Sequence, residues 1–273
     1  MNTDHSPRRW TDRIRDRREN RESNIPWWVN DKLRLAEFCH GNDIPFPETI
    51  ATWRHPGEVD LSVAPRSFVL KPSVMFSMWG VMVLERIADD LYFDSMSDRA
   101  LTSQQIAAEQ TLVYDRCKYK SSYRIFIEER VVDEEGGYAV PRDFKLLCFY
   151  DQVKLVWLID RNGSKPAYGW YDQNFSLLPR TAVVHEEDKL EYAVADVPSS
   201  ALDMVDIAAR LTTLLRTPFM RVDMYATTRG AVVGELTPSP GIIGYGTPAR
   251  LSDELDLALG EEWTKALSRI PTG

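Results

Sequence analysis

Cysteine is scarce in this chain of 273 residues: only Cys39, Cys117 and Cys148, none of them closely spaced. That excludes a disulfide framework and a cysteine zinc site, and the odd count with no apolar leader ahead of it implies a reducing, cytoplasmic setting. Long apolar runs are missing too. No stretch approaches the roughly 18 residues that a membrane-spanning helix needs. Positive charge is in deficit, with a net charge of −8, which argues against a general nucleic-acid footprint. One basic stretch stands out, Arg8 to Arg21, RRWTDRIRDRRENR. Its charges alternate in sign, so residues 1–26 read as a solvated helix or frayed arm rather than an RNA or lipid contact. His40, His55 and His185 have neither metal-like nor catalytic spacing. Internal repeats and low-complexity segments are absent.

What remains is an ordinary globular composition, 44% hydrophobic and 27% charged, long enough for one large domain or a few lobes around a cleft. WWVNDKLRLAEFCHGNDIP predicts a helix with Val29, Leu33, Ala36 and Phe38 on one face and Gly41 near its end. RSFVLKPS and GVMVLER predict two strands joined by the loop SVMFSMW, followed by a helix over LTSQQIAAEQTLVYDR. A run of strands comes next: SYRIFIEERV, RDFKLLCFYD, VKLVWLIDR and AYGWYD. SSALDMVDIAARLTTLL reads as an amphipathic helix with a Ser cap, and SDELDLALGEEWTKAL as a last helix. Between them, FMRVDMYATTRGAVVGEL predicts two strands with Arg229-Gly230 at the turn. Mixed elements without regular βα alternation imply an α+β fold with antiparallel sheets around a cleft.

Residues two apart in a strand share a face, so Arg221, Asp223 and Tyr225 lie together, as do Glu235 and Thr237 on the partner strand. A hairpin turning near Arg229 brings the faces together. Two adjacent carboxylates are costly to bury unless a cation joins them, and oxygen ligands suit magnesium. The competing reading is an Asp223–Arg221 surface pair with Glu235 at a solvated strand end. Lys71 ends an apolar strand, as an anion-seeking amine or as a lysine snorkelling at a strand end. Glu128-Glu129 closes another strand, and Asp143 and Lys145 share a face of the next. Plainer readings are a solvated hinge and a salt-bridged outer face.

The order of these features carries more than each alone. FVLKP at Phe68, DFKLLCF at Asp143, DR at Asp160, RVDMY at Arg221 and GELTPSPG at Gly234 together resemble the ATP-grasp family associated with teichuronopeptide biosynthesis, over roughly Asp31 to Ile243, with NDKLR at Asn30 as an N-terminal echo. The resemblance implies an ATP-grasp fold, with a nucleotide cleft between two antiparallel β-sheet lobes and a shortened N-terminal region. It divides the chain into an arm at 1–26, an N-terminal subdomain at 27–66, a small lobe at 67–130 with a flap at 73–80, and a C-terminal lobe at 131–273. Lys71 would reach the nucleotide. Glu128, Glu129, Arg130 and Val131 would form the adenine hinge, and Asp143 would meet the ribose. Lys145 and Arg161 are candidates for phosphate contact. Asp223, Glu235 and Thr237 would form the magnesium site. Arg221 and the Ser239–Gly241 backbone, Gly241 included, would stabilise the acyl phosphate and oxyanion.

The implied cofactors are ATP and Mg2+, and the implied reaction is amide formation between a carboxylate and an amine through an acyl phosphate. The acid would be a peptide, amino acid or sugar acid. Alternatives are an ATP-grasp kinase acting on a hydroxyl and a non-catalytic nucleotide-binding partner protein. A homodimer is compatible with the sequence, which does not decide the oligomeric state. Trp27-Trp28 and Arg54-His55 are candidates for an acceptor site, the Trp pair equally for a core anchor. The flap departs from the family pattern. SVMFSMWG holds one Gly among two Met, a Phe and a Trp, where the family has a Gly-rich phosphate cradle. It reads as a cap over an apolar substrate, a partner surface, a decayed cradle, or a loop packed on a neighbouring lobe.

Overall fold

The structure is a computed structural model that describes residues 8–75, 78–137, 139–186, 189–194, 196–241 and 249–271. Five helices are described: α1 (Trp10–Arg18), α2 (Lys32–Gly41), α3 (Ser103–Arg116), α4 (Ala201–Leu214) and α5 (Asp253–Arg269). One six-stranded sheet holds β1 (Thr49–Trp53), β2 (Ser67–Pro72), β3 (Met82–Ala88), β4 (Leu91–Asp94), β5 (Arg99–Leu101) and β6 (Ile125–Glu129), in the order β1-β6-β2-β3-β4-β5. A second holds β7 (Asp143–Phe149), β8 (Gln152–Asp160) and β9 (Ala167–Tyr171) with three later strands. β10 (Val183–His185) and β14 (Ala249–Leu251) form a separate ribbon. β11 (Glu191–Tyr192), β12 (Met220–Thr227) and β13 (Gly230–Thr237) complete the second sheet, ordered β11-β9-β8-β7-β12-β13. All these pairings are antiparallel except β9–β11.

The second sheet is covered on both sides, which explains why β7 is buried along its whole length. Phe144, Leu146 and Cys148 face a core shared with α2 and α4. Leu147 and Phe149 face another, closed by Trp10, Ile14 and Trp263 of α1 and α5. The odd-numbered face of β7 therefore has two ends, one apolar beneath the helices and one polar at Asp143 and Lys145. β12 repeats the pattern, with Met220, Val222, Met224 and Ala226 in the first core and Arg221, Asp223 and Tyr225 on the opposite face. A third core lies in the first sheet, where Phe68, Leu70, Ile125 and Ile127 pack with Ile106 of α3.

Several sequence expectations need correction. The basic N-terminal stretch is a helix and not a frayed arm, but it is not solvated all round: Trp10, Ile14 and Arg17 are at most 1% exposed. Their spacing puts them on one side of α1, a stripe that the alternating charges hide. α1 meets α5 where Gly260 has no side chain; a Cβ there would lie 1.8 Å from the Arg8 carbonyl oxygen. The helix expected over 27–45 is split into a 3-10 turn (Trp27–Asn30) and α2, because Asp31 caps α2 by accepting from the Leu33 and Arg34 N–H groups. Its buried face is Leu35, Ala36 and Cys39, while Leu33 and Phe38 are half-buried. Ser200 does not cap α4: its backbone is not extended, and its hydroxyl is buried without a partner among the described residues.

Residues 45–48 tie the two sheets together. The Pro45 carbonyl accepts from Val233 N–H of β13 at 2.9 Å, and the Glu48 carbonyl from Glu129 N–H of β6 at 2.9 Å. Within the 27–66 stretch, α2 packs into the second-sheet core and β1 pairs with β6. No helix among the described residues is long and apolar enough to cross a membrane.

Candidate active site

On the second sheet, β7 and β12 pair with Lys145 opposite Asp223, and β12 and β13 with Asp223 opposite Glu235. Lys145 bridges two carboxylates. Its ammonium lies 2.8 Å from Asp143 and in direct contact with Asp223. Arg221 holds the same Asp223 with two prongs, Nε at 2.6 Å and Nη2 at 2.7 Å, and Nη2 also donates to the Thr237 hydroxyl at 2.9 Å. Arg161 donates to Asp143 at 3.2 and 3.3 Å. Asp143, Lys145 and Asp223 are buried, so neither plainer reading of these strands, a surface pair at Asp223 or an outer face at Asp143 and Lys145, holds.

The electrostatics follow from this crowding. Burial favours a neutral Asp143, but Lys145 and Arg161 outweigh it and hold the carboxyl below its ordinary range. Burial likewise opposes the charges of Arg161 and Arg221. Asp143 and Asp223 respectively reverse that, so both guanidiniums are held above their ordinary value. Desolvation, with Asp143 adding to it, pushes the Tyr225 phenol well up. Glu235 stands apart: it accepts no hydrogen bond and makes no ion pair among the described residues, although its field reaches Arg221 and Lys32.

The facing pair of Asp223 and Glu235 depends on an irregularity. With Thr227 opposite Gly230, a regular ladder would set Asp223 against Gly234, and Glu235 against the core residue Val222. A bulge between Asp223 and Met224 advances the register, so that Met224 pairs with Val233 and Asp223 with Glu235. Gly234 is the extra residue. A Cβ there would lie 2.5 Å from the Tyr225 ring, so the bulge and the ring position together require glycine.

The first sheet contributes Lys71 and Glu128, which pair at 2.5 Å and are both buried. The Lys71 ammonium also lies 5.5 Å from the centre of the Phe126 ring. Burial pushes the Glu128 carboxyl up, with Lys71 opposing. Its second oxygen is buried without a partner among the described residues. Glu129 instead reaches the β12–β13 turn, pairing with Arg229 at 2.9 Å. Arg130 donates to Ser67 at 3.0 Å and to the Ala139 carbonyl at 2.7 Å. Val131 has no backbone hydrogen bond among the described residues. Just beyond, buried Asp133 clasps Arg142 through two side-chain bonds of 2.9 and 3.1 Å. A cavity of about 440 Å³ opens on the other face of β2, lined by Leu61, Leu70 and Tyr92, and holds none of these groups.

Two further pieces flank the cluster. The turn after β13 is held from α1: Arg17 donates to the Pro238 carbonyl at 2.7 Å, and Arg18 to Ser239 at 3.0 Å and to the Pro240 carbonyl at 2.6 Å. Gly241 ends this described stretch and is exposed. In the loop between β2 and β3, Met78 and Trp79 are exposed, and the Arg116 guanidinium sits 5.2 Å from the Trp79 ring. Phe76 and Ser77 lie outside the described residues. Of the residues considered for an acceptor site, Trp28 packs edge-on against Phe38 of α2 and His55 against Tyr114 of α3, while Trp27 is exposed.

Lys32 was assigned no role from sequence. It is buried, donates to the Met75 carbonyl at 2.8 Å, and lies in the fields of Glu235, Lys71 and Glu128. Arg17 and the Asp133–Arg142 clasp were missed as well. For Lys32 the local signal is NDKLR, the N-terminal echo of the resemblance, to which no role for the lysine was attached.

A metal ion can be tested against this donor set. Among the described residues no three His, Cys, Asp or Glu side chains converge. Asp223 and Glu235 supply two facing carboxylates, with the Thr237 hydroxyl adjacent. That suits magnesium, which binds through one or two carboxylates and takes its other ligands from water and phosphate.

Two sheets joined at one edge, with charged groups buried on their facing strands, define an ATP-grasp architecture. The chain belongs to the TupA-like ATP-grasp family, whose model matches residues 12–264. No curated protein matches it. Similar solved structures include the ATP-grasp ligase PsnB complexed with a minimal precursor, at 14% identity and TM-score 0.46, covering 87% of this chain and 60% of that one. Another is D-alanine–D-alanine ligase from Bacillus anthracis complexed with ATP, at 14% identity and TM-score 0.49, covering 89% and 64%. A third is the macrocyclase MdnC bound with precursor peptide MdnA from Microcystis aeruginosa MRC, at 12% and 0.46, covering 89% and 62%. The chain thus spans about three fifths of the length of these proteins.

Proposed function

We propose that the chain is an ATP-dependent carboxylate–amine ligase working in the cytosol, with the small lobe at 67–130 and the C-terminal lobe at 131–273 closing on the nucleotide. The observation that carries this reading is the directly paired Asp223 and Glu235, set beside Arg221 and Lys145 and across from Lys71 and Glu128. Val131, whose backbone groups make no hydrogen bond among the described residues, suits an adenine edge at the hinge of Glu128 to Val131. Asp143 suits the ribose hydroxyls, and Lys71, Lys145 and Arg161 the phosphates. Asp223, Glu235 and Thr237 would hold magnesium, which when bound offsets the charge of the phosphates.

In this reading a substrate carboxylate oxygen bonds to the γ-phosphorus while the bond to the ADP oxygen breaks. An amine then attacks the acyl carbon and phosphate leaves. Arg221 offers a planar fork to the transferred phosphoryl group and to the developing oxyanion. The 238–241 turn, held by Arg17 and Arg18, supports the same oxyanion. A kinase would have no use for that oxyanion site, which favours the ligase. The acid is a peptide, amino acid or sugar acid, with a small-molecule or peptide amine as its partner.

The experiment is ADP release with a panel of acids and amines, with and without hydroxylamine. A hydroxamate that forms only with ATP and the acid supports the ligase. A stable phosphoester that hydroxylamine leaves untouched favours the kinase, and no ADP release with any acid or hydroxyl favours a non-catalytic binder.

A further inference from the structure

The cavity of about 440 Å³ in the first sheet lies away from the charged cluster. Strand alternation separates the two. Leu70 lines the cavity, while Lys71, the next residue, pairs with Glu128 on the other face. The apolar wall is Val59, Leu61, Leu70 and Ile106. Arg86 of β3 stands opposite Tyr92 of β4, with its guanidinium 5.5 Å from the centre of that ring, and both line the cavity. Arg86 Nη2 donates to the Leu61 carbonyl at 2.7 Å, but Nε is buried with no acceptor among the described residues. Nor does Arg86 make an ion pair among them. Negative charge enters the lining from Asp60, Asp89 and Asp90, all exposed. Asp60 accepts from the Ser62 N–H and Asp90 from the Ser103 N–H, and none of the three pairs with a cation among the described residues. Gln110 completes the polar part. It is 1% exposed, donates to the Gly80 carbonyl at 2.8 Å, and has an amide oxygen buried without a partner among the described residues.

We propose that this cavity binds a small zwitterion with an apolar group, namely an α-amino acid with an aliphatic or aromatic side chain. Its carboxylate meets Arg86, its ammonium meets Asp60 and Asp89, and its side chain lies on Leu61, Leu70 and Ile106. A guanidinium with a buried, unfilled N–H is costly, and a carboxylate supplies the missing acceptor together with the opposite charge. Water supplies the acceptor alone. A simple anion would face three uncompensated carboxylates, a simple cation would leave Arg86 unfilled, and a purely apolar molecule would satisfy neither. The volume is within the range of small-molecule pockets, about 300 to 1,000 Å³. This is a second site, on the far side of β2 from Lys71, and it does not depend on the ATP reading.

The test is calorimetric titration of the full chain with L-leucine and L-phenylalanine, with their methyl esters, which lack the carboxylate, and with their N-acetyl forms, which lack the ammonium. At least one free amino acid should bind, and its ester and N-acetyl form should each bind about tenfold more weakly or worse. Arg86→Gln should weaken the free amino acid by about tenfold to a hundredfold and leave the ester unchanged. Asp60→Asn combined with Asp89→Asn should weaken the free amino acid and leave the N-acetyl form unchanged. No binding of either amino acid at about 10 mM would overturn the proposal, as would an ester or N-acetyl form that binds as well as the free acid. The proposed ligase site could itself take an amino acid, so the position is read separately, from backbone NMR shifts of the wild type. Changes at residues 59–62, 86–92 and 103–110 support the cavity. Changes confined to residues 221–237 put the ligand in the cleft and overturn the proposal. The same map, with the ester and N-acetyl titrations, decides the matter on wild-type protein should a variant fail to fold.

Discussion

The two walls of the cleft bury charge in different ways. On the second sheet, Arg161, Asp143, Lys145, Asp223 and Arg221 form a chain of contacts that alternates in sign. On the first, Lys71 and Glu128 make a single pair, with one Glu128 oxygen left without a partner among the described residues. An interlocked chain fixes each side chain from two sides, and losing one member leaves its neighbours buried and unpaired. A lone pair with spare groups is easier to rearrange around a ligand. Glu235 sits beside the interlocked chain without joining it, so removing its charge should cost activity and little stability.

The largest effect separates Asp223 from Glu235. Asp223→Asn and Glu235→Gln should each lower turnover by about a thousandfold or more, since each removes one of the two carboxylates proposed to hold magnesium. Only Asp223→Asn should also destabilise the fold, by about 3 to 5 kcal/mol, because Lys145 and Arg221 lose their shared partner. Turnover across a magnesium titration and urea unfolding of both variants check this. Near-wild-type turnover in either variant removes the metal assignment. Next comes Arg221→Lys, which keeps the charge but not the fork. It should lower amide formation by about a hundredfold while ATP affinity changes far less. Steady-state kinetics beside nucleotide titration distinguish the two.

A smaller effect tests the geometry of the paired carboxylates. Gly234→Ala puts a methyl group against the Tyr225 ring and should cost about 1 to 3 kcal/mol. Magnesium-dependent turnover should fall with it as Glu235 moves off Asp223. A fully stable and active variant would show that the bulge is incidental.

The smallest effect is in pH and has opposite signs on the two walls. Asp143 titrates below its ordinary value, so its contribution is present above that value, about 3.9, and is lost as pH falls through the lower folded value. Glu128 titrates above its ordinary value. Its contribution is full below about 4.3 and is lost as pH rises through the higher folded value. Urea unfolding from about pH 3 to 7 should therefore show a shallower acid limb for Asp143→Asn and a flatter neutral limb for Glu128→Gln. The same change in both variants would mean that the two carboxyls are not held in opposite directions.

Much of the second wall was readable from the chain. Asp143 and Lys145, and Arg221 and Asp223, are each two residues apart in apolar strands, and that alternation is a local property. β1, β4 and β5 were not read, being short segments without clear alternation. The flanks of the site were hidden for other reasons. α1 reads as a solvated helix or frayed arm because its charges alternate, whereas Trp10, Ile14 and Arg17 form a stripe that α5 and Phe219 give a reason to bury. Lys32 lies in NDKLR, the N-terminal echo of the resemblance, but its burial could not be read there, since burial of a lysine after a helix cap depends on what lies opposite, here a loop more than forty residues away.

Which faces of β7 and β12 carry charge, and in what order the charged motifs occur, follows from residue type and strand periodicity without reference to the rest of the chain. The meeting of Glu235 with Asp223 does not. In a regular hairpin Glu235 would share a face with Val222, in the core. The Gly234 bulge turns it toward the site because Val233 and Leu236 must both reach the core packed by α2 and α4. A carboxylate between them is then left on the opposite face; Gly234 permits the bulge, and packing across the sheet decides that it forms.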